Sequence, residues 1–598
     1  MIPLNRITRL DRRYVFGCAL LLFSLGLAAC NQPRAEQAQP TAAPTVASVS
    51  TATPALPAPT SMLTTTVPGS PTDAAELPWW NDRVFYEVFV RSFNDSDGDG
   101  IGDLNGLIEK LDYLNDGDPA TTDDLGVTGI WLMPIMQSPS YHGYDTTDYY
   151  TVNQDYGTNE DFKRLIEEAH KRGIEVIVDL VLNHTSSEHP WFVESAGDPA
   201  SAKRDWYRWS AKDDGSKAPW SGGGPVWHKK GDDYYFGLFW EGMPDLNYDN
   251  PEVTQEMKNV TRFWLEEMGA DGFRLDAIRH LVEEGQTYSN TPASHAWWKG
   301  FDDFVDSVDP QALTVGEIWD TTNAVVPYVR DDEVDLAFEF DLAQGILTSV
   351  QRREPQATSQ EVADMLAAFA SGQFATFLTN HDQNRVATQL YKDPAGNQLA
   401  ATVLLTMPGV PFIYYGEEIG MTGGKPDEMI RTPMQWTGDA TGGFTTGEPW
   451  EPLNADVKDV NVAAQEADST SLLSHYRQLI GIRNEHAALR TGTFVPVDSS
   501  CPSTFAYMRH LPASGAETQD GETVLVIVNF ASKEEQTGCT FSYSGQTIPA
   551  GVYRLIDLLT GEPAAELVMD ANGFQGYAPA SSLAPRAGYV LLLDRSSG

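Results

Sequence analysis

Short apolar runs typical of buried strands alternate along this chain with stretches of helical periodicity. The strand-like runs lie at residues 84–90, 129–133, 175–181, 272–276, 313–319, 334–338, 374–382 and 410–415. The helical stretches between them include residues 104–114, 159–172 and 252–268. Eight strands alternating with helices fit a closed barrel better than an open sheet. The pattern therefore predicts an α/β protein built on a (β/α)₈ TIM barrel.

Two departures from this alternation predict further domains. Between the third strand and the helix near residue 252 lie about seventy residues rich in Trp, Gly and Asp, a length that indicates an inserted subdomain rather than a plain loop. After residue 490 the helical pattern stops, and short strand-like runs such as 523–529 and 588–593 alternate with turns. We therefore expect the barrel at 78–184 and 251–490, an insertion at 185–250, and an antiparallel β-sandwich at 491–598.

The N-terminal segment has the features of a processing signal. Four arginines precede an apolar stretch, residues 14–27, that is short for a membrane-spanning helix. It ends in Leu27-Ala28-Ala29-Cys30, which is similar to a bacterial lipoprotein box with Cys30 as the lipidated residue; the alternative is an ordinary signal peptide at 1–30. Residues 31–77 are dominated by Pro, Ala, Thr and Ser and predict a surface tether. We expect an exported protein, lipid-anchored at the cell surface or in the envelope, or released by cleavage in the tether.

The net charge excludes some classes of binding partner, and the cysteine content bears on whether the chain contains a disulfide. The 598-residue chain carries a formal net charge of −44, which argues against nucleic acid and against anionic membranes, so a lipid on Cys30 would be its contact with a membrane. Once Cys18 and Cys30 are set aside, Cys501 and Cys539 remain, either as a disulfide favoured by export or as two buried thiols. We expect a monomer.

Three acidic residues, Asp276, Glu317 and Asp382, come just after predicted strands. An unpaired carboxylate is costly to bury, so charges at these places are poor candidates for core filler. Because the carboxyl ends of barrel strands meet on one rim, the three side chains are expected to converge there. A nucleophile, an acid/base and a third acceptor together suit cleavage of a glycosidic bond.

Four segments around these residues resemble the α-amylase family of glycoside hydrolases, in the family's order: 179–184, 272–280, 316–319 and 377–382. The resemblance extends from about residue 79 to the C-terminus. It implies Asp276 as nucleophile, Glu317 as general acid/base, and Asp382 as a binder of sugar hydroxyls. Physical reasoning adds that Arg274, two residues before Asp276 in a strand, faces the same way and would keep Asp276 ionised. Glu317 needs apolar or anionic surroundings to hold its proton.

The same resemblance implies a set of substrate-binding residues. His184 and His381 match positions that hydrogen-bond the sugar at the cleavage point, and Tyr144 in His142-Gly143-Tyr144-Asp145 matches an aromatic platform for the sugar ring. Arg279 and His280 correspond to a pair that contacts sugars beyond the cleaved bond. The full expected set is Tyr144, Asp145, His184, Arg274, Arg279, His280, His381 and Arg385.

Calcium is the expected cofactor. Acidic side chains at alternate positions between glycines can wrap hard oxygens around Ca²⁺, and the ligands would be Asp95, Asp97, Asp99, Asp103 and the carbonyl of Ile101. The alternative is a solvated acidic turn. The family resemblance implies a second possible calcium held by Asn183, Asp245 and the carbonyl of His280, with a further ligand from the insertion that the sequence does not identify. No organic cofactor is expected.

The expected substrate is an α-glucan. Residues 243–247 look intermediate between the oligo-1,6-glucosidase and neopullulanase groups, and 431–436 favour enzymes that act on short maltooligosaccharides. We expect an α-amylase hydrolysing α-1,4 bonds in starch and maltooligosaccharides. An exo-acting α-glucosidase or oligo-1,6-glucosidase, a transglucosylase similar to trehalose synthase, and a non-catalytic glycan-binding lipoprotein are the alternatives. The sequence leaves open endo or exo action and the pH optimum.

Overall fold

The computed structural model describes residues 77–220, 222–370, 372–513, 521–533 and 535–596. The predicted signal segment and the predicted tether up to residue 76 lie outside these residues, so both stay predictions. The described strands are β1 (Phe85–Val88), β2 (Gly129–Leu132), β3 (Met136–Gln137), β4 (Asp148–Val152), β5 (Glu175–Leu180), β6 (Trp209–Ser210), β7 (Trp227–Lys230), β8 (Asp233–Phe236), β9 (Gly272–Leu275), β10 (Leu313–Gly316), β11 (Leu336–Phe338), β12 (Phe374–Thr376), β13 (Val410–Tyr414), β14 (Thr493–Ser499), β15 (Thr504–Leu511), β16 (Glu522–Asn529), β17 (Gln536–Thr537), β18 (Phe541–Ser544), β19 (Gly551–Asp557), β20 (Pro563–Met569), β21 (Gly573–Tyr577), β22 (Ser582–Leu583) and β23 (Ala587–Arg595).

The described α-helices are α1 (Leu104–Glu109), α2 (Leu111–Leu114), α3 (Asn159–His170), α4 (Pro190–Gly197), α5 (Pro251–Arg262), α6 (Pro292–Val308), α7 (Thr322–Arg330), α8 (Phe340–Arg352), α9 (Gln356–Ala368), α10 (Val386–Gln389), α11 (Pro394–Thr406), α12 (Val462–Glu466), α13 (Leu472–Glu485) and α14 (Ala487–Thr491). Several begin at the side-chain caps expected of helix N-termini; Thr158 and Asp161, for example, form a reciprocal capping box on α3. Within the described residues, none of the helices is long and apolar enough to cross a membrane.

A closed parallel barrel confirms the predicted fold. Its strands follow the order β1-β13-β12-β11-β10-β9-β5-β2, and β2 pairs back with β1 to close the ring. The barrel interior is packed with large apolar side chains, in which Trp131, Phe338 and Phe412 contact one another. Because the interior is filled, chemistry is confined to the rim where the strands end.

The predicted insertion contains its own small sheet. Strands β6, β8 and β7 pair in that order and are antiparallel, and helix α4 precedes them. Aromatic side chains hold the unit together: Phe192 of α4 packs against Tyr207, Trp209 and Tyr235. The hairpin β3–β4, which follows β2, was not predicted; its strands are short and their burial does not alternate cleanly.

The C-terminal region forms the antiparallel β-domain predicted from its short strands. The main sheet has the order β20-β19-β23-β16-β15-β14-β18-β21. Strand β14 pairs with β15 through its first residues and with β18 through its last, and side chains from both halves share one apolar core. Cys501 and Cys539 form a disulfide with a Cα–Cα distance of 5.4 Å, which decides between the two alternatives left by the sequence.

Buried Arg509 connects this β-domain to the barrel, and buried Arg483 of the barrel itself supports the same place. Arg509 of β15 donates to the carbonyl of Thr406 at 3.0 Å, and the Tyr507 hydroxyl lies 2.6 Å from that of Thr406. Arg483 of α13 donates to the carbonyls of Leu405, Met407 and Gly409. The last carbonyls of α11 lack partners within their own helix, so these guanidinium groups satisfy them.

Candidate active site

The rim carries Asp276 and Glu317 on neighbouring strands. Strands β9 and β10 are parallel with Leu275 opposite Gly316, so the two carboxylates follow their strands at nearby positions. Both side chains are nearly buried, and Asp382, in the loop after β12, is more open to solvent. The structure thus brings together the three acidic residues that the sequence singles out.

Arg274 links the first two carboxylates. Its Nη1 donates to Asp276 Oδ1 at 2.6 Å, and its Nη2 lies 2.9 Å from Glu317 Oε2. Glu317 also accepts from the backbone N–H of Ala277 at 3.0 Å, and Ala277 has a φ of 48°, a left-handed conformation that costs energy for a non-glycine residue. One fully buried guanidinium therefore holds both groups side by side, as a nucleophile and acid/base pair requires.

Burial and neighbouring charges set the protonation of this pair. Burial raises the pKa of Glu317, Arg274 opposes that rise, and the charges of Asp276 and Asp382 add to it. Burial also raises the pKa of Asp276, while Arg274 lowers it. Arg274 was expected to keep Asp276 ionised; that cation also contacts Glu317 and Asp179, and burial outweighs it, so that the pKa of Asp276 is raised.

Asp179, at the inner face of β5, completes the arrangement beneath the rim. Arg274 Nη1 lies 3.0 Å from both of its carboxylate oxygens, and the Tyr144 hydroxyl donates to it at 3.0 Å. Burial raises the pKa of Asp179 to about 7 against the opposing effect of Arg274. The Tyr144 ring is partly exposed, and its centroid lies 5.4 Å from that of His381 in a stacked arrangement.

Asp382 is held from two sides. His381 Nε2 lies 3.2 Å from Asp382 Oδ2, and Arg431 Nη2 donates to Oδ1 at 2.9 Å. Burial would raise the pKa of Asp382, but His381 and Arg431 hold it well below its usual range. The side chain is therefore an anion that can accept hydrogen bonds from sugar hydroxyls.

His184 and Asp145 face the same end of the barrel but are already engaged. His184 Nε2 lies 3.1 Å from the carbonyl of Tyr144, and burial lowers the pKa of His184 to about 4, so its imidazole is neutral. Asp145 is buried and accepts from the hydroxyls of Ser138 and Ser140. Asp145 thus shapes the loop that carries Tyr144, and its role in substrate binding stays a prediction.

Arg279 and His280 lie at the edge of the cleft near the insertion. Arg279 pairs with Asp320 at 2.9 Å and donates to the carbonyl of Trp319. His280 Nδ1 lies 2.6 Å from the carbonyl of Tyr288, and burial lowers the pKa of His280 to about 4. Exposed aromatic rings surround this edge: Trp220 stacks on Phe239, which contacts both His184 and His280, and Trp319 stacks on Phe340.

Arg385 corrects the expected substrate-binding set. Its side chain is buried, and it donates to the carbonyls of Ile430 and Tyr415 at 2.8 and 2.6 Å. Its guanidinium also lies over the rings of Tyr414 and Tyr415. Arg385 therefore supports the loops behind the cleft, and the arginine that contacts Asp382 is Arg431.

The acidic loop before α1 brings three of its predicted ligands together. Carboxylate oxygens of Asp95, Asp97 and Asp99 all lie within 4.8 Å of one another. Gly98 and Gly100 have φ of 85° and 96°, and a Cβ on Gly100 would lie 2.0 Å from the carbonyl oxygen of Glu448, so the tight wrap requires glycine. These oxygens fit a hard cation. Asp103 lies outside this group of three; it caps α1 at Gly106 and accepts from Ser96, and its role as a ligand stays a prediction.

The second predicted metal position contains an acidic residue that sequence reasoning missed. Asn183 Nδ2 donates to Asp245 Oδ2 at 3.2 Å, and Asn183 Oδ1 is buried without a hydrogen-bond partner. Glu283 acts on Asp245 through its charge; both of its buried oxygens lack a hydrogen-bond partner, although Arg208 Nη1 lies 3.0 Å from Oε2 as an ion pair. Burial raises the pKa of Asp245 well above its usual range, and Glu283 adds to the rise. Orphaned oxygens of this type fit a cation such as Ca²⁺.

Four residues of the site are outside the set expected from the sequence: Glu87, Asp179, Glu283 and Arg431. Asp179 could have been found, because it stands in a strand and precedes Asn183 and His184 in the same segment. The other three reach their partners across long stretches of chain, for which a single sequence carries no signal.

Taken together, a barrel rim with a clamped pair of carboxylates, a third anionic acceptor and aromatic platforms defines a glycoside hydrolase. The catalytic domain of the alpha amylase family matches residues 87–492. Alpha-amylase 3 of Dictyoglomus thermophilum is 40% identical over 473 residues, covering 78% of this chain and 88% of that protein. The trehalose synthase/amylase TreS of Mycobacterium tuberculosis is 37% identical over 522 residues, covering 77% of this chain and 84% of that protein.

Solved structures agree with these relatives. The crystal structure of the α-amylase from H. orenii superposes with a TM-score of 0.72 at 40% identity, covering 86% of this chain and 99% of that one. The chain belongs to the α-amylase family of glycoside hydrolases.

Proposed function

We propose that the protein is an α-amylase that hydrolyses α-1,4-glucosidic bonds in starch and maltooligosaccharides with retention of configuration. The observation that carries this proposal is Arg274, which bonds to Asp276 and Glu317 at once. Retaining enzymes need their two carboxyl groups close together, whereas inverting enzymes leave room for a water between them. Two carboxylates on the terminal nitrogens of one guanidinium match the closer spacing.

The reaction follows from the roles of the three carboxylates. Asp276 attacks the anomeric carbon while Glu317 gives its proton to the departing glycosidic oxygen, which forms a covalent glycosyl-enzyme. Glu317, now a carboxylate, takes a proton from water, and the oxygen of that water displaces Asp276. The raised pKa of Glu317 suits the first step, because burial keeps the proton on the acid. Asp382 holds sugar hydroxyls throughout.

Aromatic rings support action on a chain rather than on a disaccharide alone. Trp220 and Trp319 are 41% and 49% exposed and flank the cleft near His280 and Arg279. Apolar ring faces of this kind pack against the C–H faces of sugars beyond the cleaved bond. Two exposed rings of this kind beside the site support endo-acting cleavage.

A product time course tests this proposal. The protein from residue 72 onward would be given soluble amylose, and early products would be sized by chromatography. A spread of maltooligosaccharides at low conversion supports an endo-acting α-amylase. Glucose or one short product alone would indicate an exo-acting glucosidase. Binding of amylose without any product would support a non-catalytic glycan-binding protein instead.

Glucosyl transfer is the second candidate, favoured by the 37% identity to a trehalose synthase/amylase. The same covalent intermediate would then pass its glucosyl group to a sugar hydroxyl in place of water. Incubation with maltose separates the two, since transfer yields a new disaccharide and hydrolysis yields glucose.

Calcium at the acidic loop is the proposed cofactor, with a second ion at Asn183, Asp245 and Glu283. Asp95 lies beside residues 444–449, because its backbone N–H donates to the Phe444 carbonyl and its carboxylate accepts from Thr445. An ion there would tie this loop to the segment after the last barrel strand. Its contribution is structural, since the loop carboxylates make no contact with Asp276, Glu317 or Asp382 among the described residues.

Removal of calcium is expected to lower the melting temperature by about 3–5 °C, because a ligand bound only to the folded state stabilises it by mass action. Differential scanning calorimetry before and after exhaustive chelation measures the change, and Ca²⁺ should restore it where Mg²⁺ does not. The Asp97→Asn and Glu283→Gln variants assign the loss to the first or second position. An unchanged melt after chelation argues against both ions.

Export and lipid anchoring are proposed from the segment that ends at Cys30, which lies outside the described residues. In a bacterial host the full chain should fractionate with membranes, and Cys30→Ala should move it to the soluble fraction. A protein that stays soluble with Cys30 intact would favour the ordinary signal peptide.

A further inference from the structure

Glu87, on the first barrel strand, lies behind the catalytic rim. Its side chain is 2% exposed, and its Oε1 lies 2.6 Å from Nδ1 of His381, a residue 294 positions further along the chain. It does not reach the cleft. His381, in turn, contacts Asp382 and Tyr144 through Nε2. Any effect of Glu87 on the reaction must therefore pass through the imidazole.

The hydrogen-bond partners of His381 indicate how many protons its imidazole ring carries. The Tyr144 hydroxyl has one proton, and it donates to Asp179 at 3.0 Å when that carboxyl is ionised, which is its state above its pKa of about 7. The Tyr144 oxygen can then only accept from His381 Nε2, 2.7 Å away. Asp382, held as an anion by Arg431, also needs a donor at Nε2. A carboxylate at Nδ1 needs the second proton, so the imidazole carries both.

Charges surround this imidazole from several barrel elements. Glu87 contacts the ring from β1, Tyr144 from the loop before β4, and Asp382 from the loop that also carries His381. The charges of Asp179, Asp276 and Glu317 also act on it. The nearby cations are Arg274 and Arg431, and Arg431 also donates to the His381 carbonyl. His381 is thus one cation within a ring of carboxylates.

We propose that Glu87 is a positioning residue of the active site, which fixes the ring of His381 and keeps it an imidazolium so that Nε2–H remains a donor to Tyr144 and Asp382. Burial alone would lower the pKa of His381, but Asp382 and Glu87 raise it to about 9. Anionic partners stabilise the protonated ring and so raise its pKa. His381 therefore keeps its second proton through neutral pH and loses it as the pH rises through 9.

The first test is a titration of His381 in the full protein. Carbon-13-labelled histidine reports each of the 11 histidines, and the signal absent from His381→Asn identifies His381. In wild type the ring should stay charged up to about pH 8, and in the isosteric Glu87→Gln variant its pKa should fall by about one unit or more, since the amide removes the charge and keeps the contact. Glu418→Gln is the matched control: Glu418 is also buried near β1, but it accepts from Tyr86 and Tyr113 and not from His381.

The second test compares kcat/KM of wild type and Glu87→Gln across pH. At pH 5.5 both hold an imidazolium, so the variant should be within about threefold of wild type. At pH 8 that deficit should grow by a further factor of about two if the pKa of His381 falls by one unit from 9, and by about tenfold if it falls by two units. The kinetic part rests on the proposed function, whereas the titration does not. A neutral His381 in wild type at pH 7, an unchanged pKa in Glu87→Gln, or an equal deficit at both pH values would overturn the proposal. If Glu87→Gln fails to fold, a neutral His381 in wild type at pH 7 would still overturn the proposal.

Discussion

Asp276→Asn is expected to lower kcat/KM on a chromogenic maltooligosaccharide by at least about three orders of magnitude. The amide is nearly isosteric with the carboxylate and can still face Arg274, but it cannot form the covalent intermediate. Binding should survive, so the loss should appear in kcat. Steady-state kinetics with the purified variant, next to a melting curve, separates lost chemistry from lost folding.

The matched control for this variant is Asp249→Asn, the same substitution at an exposed residue whose carboxylate pairs loosely with Arg208. It should change kcat/KM by less than about twofold. Mass spectrometry with a fluorinated slow substrate gives a direct check, because the label should attach to Asp276 in wild type. A label on another residue, or retained activity in Asp276→Asn, would remove Asp276 from the mechanism.

Glu317→Ala is expected to slow the cleavage of starch far more than the first step with a substrate that has a good leaving group. Starch needs a proton on the departing oxygen, and its turnover should fall by about 10³-fold or more. A nitrophenyl glycoside leaves without a proton, so its first step should continue, and the glycosyl-enzyme should accumulate because no base activates water. Rapid-mixing kinetics should show a burst of nitrophenol followed by a slow phase.

Added azide sharpens this test, because it attacks the glycosyl-enzyme without needing a base and fits the space left by the missing side chain. It should restore steady turnover of the nitrophenyl substrate and yield a glycosyl azide of retained configuration. The matched comparison is Asp276→Asn, which forms no such intermediate. Equal losses on starch and on the nitrophenyl substrate would show that Glu317 does not act as the acid.

The barrel was predictable from sequence because each of its strands is a short apolar run placed between helical stretches. Asp276 and Glu317 were predictable for a related reason, since charges directly after such runs lie where neighbouring parallel strands end. The relation between Arg274 and Asp276 needed only the two-residue period of a strand. These features depend on local pattern and on the rule that strand ends converge.

Contacts between distant segments were not predictable in this way. Glu283 comes after the strand that carries Asp276, yet it meets Asp245 of the insertion, and no periodicity records where an insertion folds back. Arg385 was misassigned because a polar residue three positions after Asp382 is a reasonable cleft candidate until its carbonyl partners are known. The cap that Asp103 makes on α1 was not predicted either, although Asp is a common residue at a helix N-terminus.

The guanidinium groups of Arg483 and Arg509 have a consequence for how this enzyme can be shortened. They supply the hydrogen bonds that the end of α11 cannot make for itself, and Arg509 comes from the β-domain. Deleting that domain would leave a buried helix end exposed and would deprive its carbonyls of a partner. The β-domain thus completes the hydrogen bonding of a barrel helix from later in the chain. A minimal catalytic fragment therefore cannot end where the barrel strands end.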